Sequence, residues 1–100
     1  MLRNSLTGKQ KSFLRSEGMK LGPVVMVGKD AVPPAGVQSA RDVIKKRELI
    51  KVRVLNNCLE EVEDVMTVLA ERCDANLVQI KGNTGLLFKR NFEKPKIELR

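Results

Sequence analysis

Apolar residues recur along the chain with two different periods, and the changes between them outline seven elements. Thr7-Gly8-Lys9-Gln10 reads as a capping box, in which the Thr7 side chain accepts from the Gln10 N–H and Gln10 reaches back. A first helix is expected from there to about Glu17, with Phe13 and Leu14 facing inward and Gly18 stopping it. Val24 to Val27 is a β-branched run between Pro23 and Gly28, read as a buried strand. Gly28 to Pro34 is a loop. A second helix runs from about Ala35 to Arg47, with Val37, Ala40, Val43 and Ile44 on one side.

Ile50 to Leu55 changes period. Ile50, Val52 and Val54 point one way, and Lys51 and Arg53 point the other. Asn57-Cys58-Leu59-Glu60 resembles a helix start with Asn57 as N-cap. The third helix then places Val62, Val65, Met66, Leu69 and Cys73 on its inner stripe, and Glu60, Glu61, Glu63, Asp64 and Glu71 outside. Leu77 to Lys81 and Leu86 to Lys89 form a hairpin around the turn Gly82-Asn83-Thr84-Gly85.

The resulting order is α-β-α-β-α-β-β, an α+β two-layer fold around a four-stranded mixed sheet. Two crossovers of the usual hand put helices 2 and 3 on the same sheet face. The alternation at Lys51 and Arg53 then predicts one covered face and one wet, basic face. The 100 residues suit a single domain spanning 1–100.

Charge is distributed unevenly. The net charge is +7, but residues 1–55 carry 12 Lys/Arg against 4 Asp/Glu, and residues 56–100 carry 7 against 8. A one-sided distribution sets up a directed field, which suits a polyanion partner. Lys45-Lys46-Arg47 closes helix 2, and Lys51 and Arg53 follow. Gly28-Lys29-Asp30-Ala31 joins a strand to a helix, where exposed N–H groups and the helix dipole favour phosphate. These nine residues, Gly28, Lys29, Asp30, Ala31, Lys45, Lys46, Arg47, Lys51 and Arg53, are the candidate set for binding a phosphate-bearing polyanion, with RNA as the expected one. The reading requires the cations to share one side of the molecule, beside the bend at Gly28, free of the carboxylates of helix 3.

Several absences narrow the function. The chain has no histidine, so neither a Ser/His nor a Cys/His pair exists, and no catalytic residue is expected. Cys58 and Cys73, read as reduced thiols, cannot complete a four-ligand zinc site, and no metal or cofactor is expected. Phe13, Phe88 and Phe92 are the only aromatics, too few for a base-stacking platform, so binding should be backbone-led and salt-dependent. Charges at Arg3, Lys9, Lys11 and Arg15 break any signal-peptide core, and the charge-free stretch Leu21 to Gly28 is too short to span a bilayer. A cytoplasmic monomer that uses neither membrane nor small-molecule substrate is expected.

The sequence resembles the CRM domain, named for chloroplast RNA splicing and ribosome maturation, in its stand-alone bacterial YhbY-like form. The resemblance runs through Leu6-Thr7, Gln10-Lys11 and Leu14-Arg15. It continues through Leu21-x-Pro23 and Val25-x-Val27-Gly28-Lys29, then Glu48-Leu49-Ile50-Lys51-Val52, Val78-Gln79-Ile80 with Gly82, and Leu87-Phe88-Lys89-Arg90. It implies a compact fold similar to the C-terminal domain of bacterial translation initiation factor three. It also implies an RNA-contacting Gly-x-x-Gly loop, carried here onto Gly28, Lys29, Asp30 and Ala31, with alanine in place of the second glycine. Bacterial members are associated with precursors of the large ribosomal subunit, and plant members with intron splicing. The leading expectation is therefore a non-enzymatic RNA-binding protein acting on ribosomal RNA, or on a precursor of the large subunit, during assembly. The competing one is a protein-interaction module that docks a basic ribosomal or assembly protein on acidic helix 3.

Overall fold

A computed structural model describes residues 6–29 and 32–97. The elements are α1 (Gly8–Gly18), β1 (Val25–Val27), α2 (Pro34–Arg47), β2 (Leu49–Val54), α3 (Val62–Cys73), β3 (Asn76–Lys81) and β4 (Thr84–Phe88). The expected capping box opens α1. The Thr7 hydroxyl accepts from the Gln10 N–H at 3.1 Å, and the Thr7 N–H donates to Gln10 Oε1 at 3.0 Å.

The strands lie in the order β1-β2-β4-β3. β1 pairs parallel with β2 because α2 carries the chain back between them. β4 pairs antiparallel with both β2 and β3. β2 and β3 therefore run the same way, and the final hairpin inserts β4 between them.

The larger core lies between the sheet and helices α2 and α3. Ile50, Val52, Val54 and Leu87 meet Ala40 and Ile44 of α2 and Val65, Met66, Leu69 and Cys73 of α3. Each large aliphatic side chain buried here contributes ~1.5–3 kcal/mol relative to exposure. α3 sits so close to the sheet that a Cβ on Gly85 would collide with the Met66 side chain. Helices 2 and 3 thus share one face, as the topology predicts.

The opposite face is not wholly wet. α1 packs across part of it, and Leu14 joins Leu49, Val78, Leu86 and Phe88 in a second core cluster. A Cβ on Gly18 would run into Leu86, so the close approach depends on glycine. The expectation of one covered and one wet face is corrected accordingly. The sign of this lay in β4, where Leu86, Leu87 and Phe88 form an unbroken apolar run, as a strand covered on both sides requires.

Two local expectations also change. α3 begins at Val62, with Glu61 as an N-cap that makes no side-chain hydrogen bond, so Asn57 does not cap it. Asn57 instead lies against the bend after β1, where a Cβ on Gly28 would stand 3.5 Å from its Oδ1. In the hairpin, only Gly82 and Asn83 form the turn; Thr84 and Gly85 already belong to β4.

Candidate nucleic-acid interface

The bend at Gly28 ends β1, and Lys29 is exposed just beyond it. Asp30 and Ala31 lie outside the described residues. Pro33 and Pro34 open α2 without a side-chain cap, and no acidic residue occupies the first turn. The N-terminal amides of α2 thus carry the positive end of the helix dipole with no carboxylate in the first turn to neutralise it. A hollow of about 210 Å³ beside them is lined by Val25 to Lys29, Pro33 and Gly36.

Lys45, Lys46 and Arg47 are exposed in the last turn of α2. α2 has 14 residues, so they stand roughly 20 Å from its start. The structure does not bring them beside Gly28. They belong instead to a neighbourhood at the C-terminal end of α1. Lys46 and Arg47, with Lys20 and Lys96, surround a hollow of about 430 Å³ floored by Leu21, Leu49 and Ile97. Glu17, also on its rim, pairs with Lys20 at 3.0 Å.

Lys51 and Arg53 lie on the α1 side of the sheet, opposite the core of Ile50, Val52 and Val54. Arg53 is exposed and Lys51 half-buried. The register puts Met26, Arg53, Thr84 and Lys81 in one row across all four strands. Lys51 borders a second groove together with Arg15 and Lys81, directly under α1. The cations thus form two adjoining hollows around the C-terminal end of α1, with Lys29 apart at the far end of β1. Among the described residues, no ion pair joins any of them to a carboxylate of α3; the pairs present are Lys20–Glu17 and Arg90–Glu48.

Sequence reasoning missed four members of this surface: Arg15, Lys20, Lys81 and Lys96. It also missed Glu48, which orders one of them. Glu48 is fully buried and has φ 65°, a conformation that costs a non-glycine residue on the order of 1–3 kcal/mol. Its carboxylate accepts the backbone N–H groups of Asn91 at 2.6 Å, Lys96 at 2.6 Å and Ile97 at 2.7 Å. Asn91 in turn donates from its side chain to the Lys45 carbonyl at 2.9 Å. These bonds strap residues 91–97 to the end of α2 and set Lys96 beside Lys46 and Arg47. Glu48 is also the C-cap of α2, and its positive φ is where the chain leaves the helix.

A family model for the CRS1/YhbY (CRM) domain matches residues 6–89. The chain belongs to this family. It is 45% identical to the probable RNA-binding protein YqeI of Bacillus subtilis, over 94% of this chain and 98% of that one. A Haemophilus influenzae protein named RNA-binding protein is 30% identical, over 95% of each chain. The solution structure of SAV1595 from Staphylococcus aureus has the same fold, with a TM-score of 0.81 and 33% identity, covering 96% of this chain and all of that one. Among the described residues, no helix is long and apolar enough to cross a membrane, and no group of three or more Cys, Asp or Glu side chains is placed to hold a metal ion.

Proposed function

We propose that this CRM-domain protein is a non-catalytic RNA-binding factor that grips structured RNA through its phosphate backbone. Its target is ribosomal RNA during assembly of the large subunit, and it acts as a cytoplasmic monomer. The observation that carries the RNA-binding reading is the surface around the C-terminal end of α1. Lys46, Arg47 and Lys51 border its two hollows, and Arg53 lies on the adjoining row of the sheet, all without carboxylate partners among the described residues. Glu17 offsets only Lys20 on this rim; the remaining cations repel one another, and a polyanion relieves that repulsion while releasing its own counterions. The relatives named as RNA-binding proteins support the same partner. The family's association with large-subunit precursors supports the target.

Crosslinking in cells followed by sequencing of the attached RNA tests the target. Enrichment of large-subunit ribosomal RNA is the expected result, and enrichment of other RNAs alone would remove the ribosomal assignment. A second reading rests on Glu63, Asp64 and Glu71, which are exposed on α3 and, among the described residues, form no ion pair. Affinity capture after nuclease treatment separates the two. Loss of all partners supports RNA, and retention of one basic protein supports docking on α3.

A further inference from the structure

Under α1, on the sheet face opposite α2 and α3, lies an open groove of about 480 Å³. Three elements each send one cation to its rim: Arg15 from α1, Lys51 from β2 and Lys81 from β3. No carboxylate lines it, and no aromatic ring does. Ser12 and Ser16 stand one helical turn apart on α1 and add two hydroxyls to the same wall. Neither hydroxyl makes a hydrogen bond within the described residues. Gln79 contributes an amide.

We propose that this groove is a phosphate-binding site for RNA in its own right, separate from the hollow of Lys46 and Arg47. The inference rests on the RNA-binding reading above and deepens it, assigning one of its two hollows a phosphate of its own held by Arg15, Lys51 and Lys81. The chemistry selects a sugar–phosphate backbone rather than bases. Donors and positive charge surround the groove, while a stacking surface is missing from it. Concavity matters as well. Like charges spread over a convex surface are solvated separately, whereas charges around a hollow add their fields at its centre. Close packing of Gly18 on Leu86 brings Arg15 near enough to share the groove with residues of the sheet.

The test is the affinity of the full chain for a fluorescein-labelled RNA hairpin, measured across a salt series. Wild type is compared with the double variant Arg15→Ala/Lys81→Ala. The double variant should bind more weakly, and its log K against log salt slope should be shallower by roughly 0.7–0.9 for each phosphate no longer neutralised. In wild type, the same hairpin should shift the backbone amide NMR signals of Gly18, Thr84 and Gly85. A double variant with undiminished affinity and slope, alongside tight wild-type binding, overturns the groove site and leaves the RNA-binding reading standing. Failure of wild type to bind the hairpin at all overturns both. A thermal midpoint within about 2 °C of wild type is required of the double variant. Should it fall further, the amide shifts in wild type decide, and their absence overturns the proposal.

Discussion

The Glu48 carboxylate and the Asn91 backbone N–H meet at 2.6 Å across 43 positions of sequence. With the bonds to Lys96 and Ile97, this interaction joins the end of α2 to the last described segment of the chain. It links stability to function, because the strapped segment carries Lys96 to the rim it shares with Lys46 and Arg47.

Removing that carboxylate should be costly. Glu48→Ala leaves three part-buried N–H groups without their acceptor, and a loss of about 3 kcal/mol is expected. Glu48→Gly should lose about 1 kcal/mol less, because glycine adopts the positive φ without strain. Urea denaturation of the two variants measures the difference. Equal losses would show that the backbone at position 48 carries no strain.

Close packing of α3 on the sheet gives a second expectation. Gly85→Ala should destabilise by roughly 1–3 kcal/mol, since the new Cβ overlaps the Met66 side chain. Met66→Ala leaves a cavity at a fully buried position and should cost about 2–5 kcal/mol. Combining the two substitutions should destabilise by less than the sum, as the methyl group introduced on β4 occupies part of the space that Met66 vacates. Additive losses would mean that the two residues do not meet.

The thiols should behave differently. Burial pushes the Cys73 thiol above its ordinary value of 9.0, against smaller opposing pulls from Arg41 and Lys89. The folded state therefore keeps a proton that the unfolded chain releases near pH 9. Stability from this source is intact below that pH and falls as the pH rises through it. Thermal midpoints across this range should drop more steeply for wild type than for Cys73→Ala. Cys58 is half-buried and should be alkylated in the native protein well before Cys73. Equal alkylation rates under native conditions would contradict the burial of Cys73.

The order of elements was legible because each stretch kept one period long enough to declare itself. Lys51 and Arg53 were assigned to the correct side of β2 by alternation alone. Asn57 misled because a local capping pattern competed with a tertiary contact, and its side chain settled against Gly28. The share of the sheet hidden by α1 was written into Leu86-Leu87-Phe88, a run that fits no half-exposed strand. The remaining parts of the surface had no local signature. Glu48 finds its partners 43 to 49 residues away, among backbone amides that no side-chain pattern reports. Arg15 and Lys81 share a groove only because α1 folds back over the sheet.

The most direct measurement is the salt dependence of RNA affinity for wild type and for the triple variant Lys45→Ala/Lys46→Ala/Arg47→Ala. All three side chains are exposed, so the fold should survive their removal. Weaker binding is expected, with a slope of log K against log salt shallower by roughly one unit for each phosphate that the missing cations had neutralised. Equal affinity with an unchanged slope would contradict a phosphate-gripping surface at the end of α2.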